Sequence, residues 1–335
     1  MILHPKKVRA LGLSSGGLDS ILSALVLRKH KIEVEWITFE TPFFSSEKAQ
    51  KASRAVKIPL TVRKITKIYL KMLKNPGCGY GKHMNPCLDC HALMFSLAGK
   101  IMEEKGFDFL FSGEVVGQRP MSQTKPSLRY VEKHSGFDGY ILRPLSAKRL
   151  PETIPEKKGL VNRMELLGIC GRSRKEQIRL AEEFNITDYP APGGGCLLTD
   201  KGYCTRLKDL FKHQNVYAER ELYFLKYGRH FRIDEDTKII VGRTKEDNEN
   251  LLKHYDPAKD ILIKLEKFPG PIVLMPDKGN NKVESAHVRL AASICAGYSK
   301  APINEPANIK VITHNGRKSV SMTGILPEKI RRFLI

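Results

Sequence analysis

The sequence predicts an α/β fold, a doubly wound parallel sheet, followed by a second, smaller α+β domain. Three observations carry this. Short apolar runs alternate with helical patterns through the first half of the 335 residues, which argues for a parallel sheet covered on both faces. A Gly- and Ser-rich turn joins the first apolar run to the first helical pattern. After about Phe211 the alternation stops, and several strand-like runs surround one small-residue helix.

In chain order, Val8 to Leu13 reads as a buried strand, Leu18 to Arg28 as a helix, Val34 to Phe39 as a second strand and Leu60 to Ile65 as a third. Leu88 to Lys105 has helical apolar spacing at Leu93, Met94, Leu97, Ala98, Ile101 and Met102, and Phe107 to Phe111 reads as a short strand. Ser173 and Glu176 form a capping-box pattern ahead of a helix carrying Ile178, Leu180, Ala181 and Phe184, which Asn185 stops. Farther on, Lys238 to Val241, Ile261 to Leu265 and Pro271 to Met275 read as strands, and Glu284 to Tyr298 as a helix. Ile309 to Thr313 and Lys318 to Met322 flank Asn315-Gly316, a hairpin signal. These patterns place the domains at residues 1–215 and 223–335.

The charge balance narrows the function. Lys and Arg number 57 against 36 Asp and Glu, a formal net charge of +21. An enzyme of small neutral metabolites needs no such field, whereas a polyanion explains it through counterion release. No apolar region follows the basic residues of Met1 to Lys7, and no apolar run reaches membrane-helix length, so the expected location is cytoplasmic with no membrane partner. Seven cysteines in such a compartment read as core thiols, metal ligands or catalytic groups rather than disulfides.

The most specific motif is Ser14-Ser15-Gly16-Gly17-Leu18-Asp19-Ser20, directly after the first strand and opening the first helix. That position aims backbone N–H groups and the positive helix end at an anion. Gly16 and Gly17 allow close backbone approach, Ser15 and Ser20 add hydroxyls, and Asp19 suits a divalent ion shielding the phosphates. A plain Gly-Ser turn with Asp19 and Ser20 as helix caps is the bland alternative. No Gly-Lys-Ser/Thr follows, so this is not a Walker A loop. Ser15 to Ser20 resembles the PP-loop of the N-type ATP pyrophosphatases. The resemblance implies ATP with Mg²⁺, cleavage between the α and β phosphates, attachment of AMP to a carbonyl oxygen and displacement of AMP by a nucleophile.

Asn85-Pro86-Cys87-Leu88-Asp89-Cys90-His91 supplies a CxxC at a helix start, where the dipole is expected to lower a thiol pKa. Gly193-Gly194-Gly195-Cys196 presents a third cysteine on a glycine loop. Three thiolates suit a 4Fe-4S cluster with one iron free of protein. Zinc would want a fourth ligand from Cys78, His83 or His91, and buried thiols with no metal are the remaining reading. Cys170, Cys204 and Cys295 read as core or incidental thiols.

These cysteines resemble those of the tRNA 2-thiouridylases and 4-thiouridine synthases, and Gly113-Glu114-Val115-Val116-Gly117-Gln118 looks like a segment of the latter. The resemblance spans roughly residues 8 to 205. It implies that Gly113, Glu114 and Gln118 line the nucleotide site, that Asp19, Cys87 and Cys196 are catalytic, and that the partners are tRNA and a sulfur donor: a cysteine desulfurase, a sulfur carrier or free sulfide. Residues 236 to 330 resemble the RNA-binding domain of the NFACT proteins, with Arg243 as candidate RNA contact, or as the pin of a structural turn. Arg143, Lys148 and Arg149, and Arg172, Arg174 and Lys175, are basic clusters suited to a tRNA backbone or to ordinary solvated faces. Together these readings point to ATP-dependent tRNA thiouridine synthesis. An adenylating enzyme of small molecules and a non-catalytic RNA-binding protein are the rivals.

Overall fold

The computed structural model describes residues 7–191, 195–276 and 285–335. The chain forms two compact units, Met1–Thr199 and Asp200–Ile335.

The first unit runs β1 (Arg9–Leu13), α1 (Leu18–Lys29), β2 (Glu33–Glu40), α2 (Glu47–Val56), β3 (Leu60–Lys64), α3 (Thr66–Lys74), α4 (Cys87–Lys105), β4 (Phe109–Ser112), α5 (Lys125–Ser135), β5 (Ile141–Leu142), α6 (Ile154–Lys157) and α7 (Lys175–Glu183). Its five strands are parallel, in the order β3-β2-β1-β4-β5. Central parallel strands are covered on both faces and read as unbroken apolar runs, as in the wholly buried Phe-Leu-Phe-Ser of β4. Trp36, Phe109 and Phe111 join Ile21, Leu22 and Leu27 of α1 in one core. The Phe111 ring occupies the space a Cβ at residue 12 would need, so only Gly12 lets β1 and β4 pack there.

In this sheet the strand order reverses at β1, which pairs β2 on one side and β4 on the other. A crevice opens outside the carboxyl ends of strands at such a point, and ligands of open α/β sheets sit there. Leu13 and Ser112 are register partners, so the segments leaving β1 and β4 start side by side.

The second unit runs α8 (Lys201–His213), α9 (Glu219–Phe224), β6 (Arg229–Arg232), β7 (Lys238–Val241), α10 (Lys245–His254), β8 (Asp260–Leu265), β9 (Val273–Pro276), α11 (Ala286–Gly297), β10 (Ala307–Thr313), β11 (Gly316–Met322) and α12 (Pro327–Ile330). Its six strands form a sheet in the order β11-β10-β8-β9-β7-β6, antiparallel throughout. One face packs Ile261, Ile263, Ile309 and Val311 against α11. The other packs Ile240, Leu262 and Leu274 against Phe224 of α9 and Leu251 of α10.

The expected fold class is what forms: a parallel α/β domain and then an antiparallel α+β domain. Three local expectations need correction. The Ser173/Glu176 capping box does not form: the helix begins at Lys175 with Arg174 at its N-cap and no side-chain cap bond, and the Ser173 hydroxyl accepts only from the Lys175 N–H at 3.4 Å. The hairpin turns one residue earlier, with Thr313 opposite Gly316, so His314 and Asn315 link the strands and Gly316 opens β11 at a φ of 132°. The helix at 286 takes Ser285 as N-cap, its hydroxyl accepting from the Val288 N–H; Glu284 lies outside the described residues. Asn185, the expected stop, sits just past α7 in the left-handed region at a φ of 56°. Among the described residues no helix is long and apolar enough to cross a membrane.

Candidate active site

The loop from Ser14 to Gly17 lies at the reversal of strand order, between the end of β1 and the start of α1. Gly16 has a φ of 71°, and a Cβ there would overlap the backbone of Lys48 and Ala49. Glycine is required twice over, by conformation and by space. The first turn of α1 has no side-chain cap at Gly17. Instead the loop amides turn to its own hydroxyls: Ser15 N–H donates to Ser20 Oγ at 3.2 Å, Gly16 N–H to Ser14 Oγ at 3.2 Å and Gly17 N–H to Ser15 Oγ at 3.4 Å. Ser15 and Ser20 hydroxyls lie 3.0 Å apart. A ring of amides with long, weak acceptors at a helix start is a ready seat for phosphate oxygens.

Asp19 faces back across this loop. Its Oδ2 accepts from Gln118 Nε2 at 2.8 Å, and Gln118 Oε1 in turn accepts from the buried Gln177 at 3.2 Å. Its Oδ1 is buried with no hydrogen-bond partner. An orphaned carboxylate oxygen beside a phosphate seat fits a divalent cation, which prefers hard oxygen ligands. Gly113 packs on this turn so closely that a Cβ would overlap the Asp19 carbonyl and the Ser20 amide. Gly113 and Gln118 thus both meet the loop at Asp19.

Glu114 turns elsewhere. Its Oε1 is 2.8 Å from His91 Nδ1, and its Oε2 accepts from Ser112 Oγ at 3.1 Å and Arg143 Nε at 3.0 Å. Arg143 also pairs with Glu132. Burial works to raise the Glu114 pKa, but the Arg143 charge and the His91 hydrogen bond outweigh it and hold the carboxyl at about 2, below its ordinary 4.5. An ionised carboxylate only accepts, so His91 donates through Nδ1. The sequence reading put Arg143 on an RNA-facing surface, and this is corrected. Arg143 is 1% exposed and spends its guanidinium on two carboxylates, since a buried charge must be paired.

This network makes a testable statement about stability. A depressed carboxylate pKa stabilises the fold at pH values above the unfolded pKa of about 4.5, and that contribution drains away as pH falls toward about 2. Arg143→Met should leave Glu114 and Glu132 buried without their cation, costing about 3–5 kcal/mol at pH 7. Its penalty should shrink below pH 4, where the variant's carboxyls, no longer held down by the guanidinium, take up protons instead of standing buried and charged. Urea melts of both proteins at pH 7 and pH 3.5 check this; an equal loss at both would refute it.

The cysteines gather at the head of α4. Cys87 is its first residue, with Asn85 Nδ2 donating to Cys87 Sγ at 3.4 Å. Cys90, one turn on, is buried beside the hydroxyl of Tyr69 in α3, and both Cys87 and Cys196 lie close enough to act electrostatically on that pair. Leu197, the neighbour of Cys196, donates its N–H to the Phe43 carbonyl at 2.9 Å, and the Phe43 and Tyr69 rings are 5.6 Å apart. Thus β2's exit, α3, α4 and the segment at Cys196 meet at Tyr69. Sequence reasoning missed this residue; the signal was a Tyr at a core position of an amphipathic helix, which needs a partner for its hydroxyl. The expected fall in thiol pKa is reversed at Cys90. Burial pushes it well up, and the Tyr69 hydroxyl offsets only part of this.

The donor chemistry of three thiols suits an iron–sulfur cluster. Among the described residues, however, no three His, Cys, Asp or Glu side chains are arranged to hold a metal ion. Of the possible fourth ligands, His91 serves Glu114, and Cys78 is exposed with its N–H donating to Asp89 at 2.9 Å. Gly193 and Gly194 lie outside the described residues. Cys204 and Cys295 are buried, the latter's thiol pushed up to about 12 by burial, while Cys170 is exposed and bridges to Val116.

The basic candidates divide by exposure. Lys148, Arg149, Arg172 and Lys175 are exposed, although Lys148 donates to the Met164 carbonyl and Arg149 to that of Gly168. Arg174 is half-buried, its Nε enclosed without a partner. Arg243 Nε donates to Asp247 at 3.0 Å, pinning the first turn of α10, with the side chain 43% exposed.

A parallel sheet reversing at β1, with this loop leaving that strand, makes the first unit a doubly wound α/β domain with an anion seat at the reversal. Residues 6–154 match the family described as thiamine biosynthesis protein (ThiI), and residues 228–334 match the NFACT protein RNA binding domain. The chain therefore carries a ThiI-type PP-loop domain and, after it, an NFACT-type RNA-binding domain. Curated relatives include probable tRNA sulfurtransferases of Thermotoga maritima, 30% identical over 161 residues, and of Oceanobacillus iheyensis, 26% identical over 157. These alignments cover 45% and 44% of this chain but only 39% and 37% of the relatives, so the chain spans well under half the length of the proteins it matches. Among solved structures it is similar to a 4-thiouridine synthetase in complex with RNA and bound ATP, at 20% identity and a TM-score of 0.34 over 53% of this chain and 52% of that one.

Proposed function

We propose that this protein is an ATP-dependent tRNA sulfurtransferase that converts a uridine to a thiouridine. The observation that carries the reading is that one unit holds both halves of such a reaction: a phosphate seat with an orphaned carboxylate oxygen at Asp19, and a meeting of three cysteines at Tyr69. ATP binds by its phosphates to the amides of Ser15 to Ser20, and Asp19 would hold an accompanying Mg²⁺, which would supply charge stabilisation to the leaving pyrophosphate. A uridine carbonyl oxygen attacks the α-phosphorus, and AMP becomes attached to that oxygen. A sulfur nucleophile then adds to the same carbon, and AMP departs with the oxygen.

The sulfur belongs to Cys87, Cys90 and Cys196, supplied by a cysteine desulfurase, a sulfur carrier or sulfide. In the finer reading these three would hold a 4Fe-4S cluster, which would offer sulfide an iron with no protein ligand. A second reading is favoured by the burial of Cys90 beside Tyr69, which leaves Cys87 and Cys196 as the reacting pair. There, a cysteine desulfurase passes sulfane sulfur from its own persulfide to Cys87 or Cys196; the new persulfide attacks the activated carbon with loss of AMP, the other cysteine cleaves the resulting disulfide, and the thiouridine leaves. The Cys87–Cys196 disulfide that remains requires a thiol reductant.

The test is anaerobic incubation with tRNA and ATP, and with either sulfide or a cysteine desulfurase plus cysteine and a thiol reductant, reading pyrophosphate and thionucleosides together. Both should appear, and both should need tRNA. Pyrophosphate release saturating without RNA would favour the small-molecule adenylating enzyme, and no ATP cleavage at all would leave an RNA-binding protein. Affinity for tRNA should fall about 10³-fold or more between 50 and 200 mM salt if six or more phosphates are neutralised. Filter binding across that range checks it, and a salt-independent affinity would remove the electrostatic role of the +21 charge.

A further inference from the structure

The second unit's sheet has one region that no helix covers. On the face opposite α11, among the described residues, α9 and α10 pack over Ile240, Leu274 and Leu262, and Ile312 of β10 and Tyr255 lie at the edge of that cover. Beyond it the face continues across β8, β10 and β11. Alternation assigns its side chains: Ile309, Val311 and Val320 point to α11, so Lys310, Ser319 and their neighbours two residues away point to the open side. The register fills in the rest. Lys264 of β8 stands directly opposite Lys310, Lys310 opposite Ser319, and Arg317 opposite Ile312 one step along. Asn308 and Ser321 form a further opposed pair. Lys264, Arg317, Asn308, Ser319 and Ser321 are exposed, and Lys310 is half-buried.

Two lysines directly opposed across a strand pair destabilise the sheet, because their Cβ atoms lie only about 4.5–5.5 Å apart. Among the described residues neither lysine has an acidic partner, nor does Arg317. A fold that keeps such a pair on an open face, at a cost, is poised for an anion that bridges it. The surrounding hydroxyls and amide are neutral groups that donate to phosphate oxygens, while the exposed Glu266 beside Asn308 and the half-buried Tyr255 near Arg317 stand at the edges of the face.

We infer that this open face, centred on Lys264, Lys310 and Arg317, is where the second unit grips the phosphate backbone of structured RNA. The inference rests on the RNA-binding reading above and places that contact away from Arg243. The grip is electrostatic and reads backbone shape rather than sequence.

The test uses the full chain and tRNA, with anisotropy titrations across salt. The K264Q/K310Q/R317Q variant should bind about tenfold or more weaker at low salt, and its slope of log affinity against log salt should shrink by about 2 to 3, at about 0.7–0.9 per lost phosphate contact. It should melt no lower than the wild type, because the opposed charges are gone. The K264R/K310R/R317K variant should keep both affinity and slope. Wild-type affinity and slope in the glutamine variant would overturn the inference, as they would if the face docks an acidic protein instead. Equal losses in the charge-conserving variant would overturn it too, since geometry and not charge would then be at stake. A wild-type chain with no tRNA affinity would instead refute the RNA-binding reading itself.

Discussion

Replacing Asp19 with alanine should lower tRNA-dependent pyrophosphate release by about a hundredfold or more, with little change in tRNA affinity. The carboxylate has two separable jobs: Oδ2 holds Gln118 at 2.8 Å, and Oδ1 is left for a cation. Asp19→Asn separates them. An asparagine oxygen still accepts from Gln118 but carries no charge for Mg²⁺. If the metal role dominates, the asparagine and alanine variants fall together, and raising Mg²⁺ restores little. If the asparagine variant keeps wild-type turnover, Asp19 is a loop anchor and the cation assignment is wrong. Activity rather than stability is the readout, because the loop before Asp19 is already tied by Ser14, Ser15 and Ser20.

The second large effect concerns the thiols. Cys87→Ala and Cys196→Ala should each abolish thionucleoside formation, while adenylation, read as pyrophosphate, survives within a few-fold because the loop is a separate structural element. Cys90 discriminates the sulfur carriers. If a cluster is held by all three thiols, Cys90→Ala loses iron and thiolation as completely as the other two. If a persulfide is passed between Cys87 and Cys196, Cys90→Ala keeps most of the activity and iron is irrelevant. Loss of pyrophosphate release in all three variants would break the two-step scheme, since the cysteines would then serve ATP as well.

Contiguous features were legible and distant ones were not. Ser15 to Ser20 could be read because strand, loop and helix start adjoin in the chain, and their physics is local. The CxxC was legible for the same reason. Arg143 was misread because it was grouped with Lys148 and Arg149, although Leu142 and Pro144 are its own neighbours; only Glu114 and Glu132, 29 and 11 residues away, reveal why it is buried. Glu114 itself was assigned to the nucleotide by resemblance, but its nearest partners are His91, Ser112 and Arg143. Tyr69 escaped because nothing in α3 distinguishes a core tyrosine from one that meets three cysteines. The hairpin was legible as a hairpin but not to the residue, since His314-Asn315 and Asn315-Gly316 compete for the same turn.

The place of β1 in the sheet also sets an order of events for the growing chain. β1, β2 and β3 leave the ribosome before β4, and they can pair as a three-stranded sheet. The other edge of β1 must wait about a hundred residues for β4, with its backbone groups unpaired and apolar side chains uncovered. Gly113 and Gln118, which close on Asp19, arrive only after β4. No fragment ending before Gln118 can therefore own a finished nucleotide seat, and a nascent chain stalled short of it carries a sticky open edge. Such a chain is a target for chaperones during synthesis, and truncation within this stretch should yield aggregate rather than a partly active enzyme.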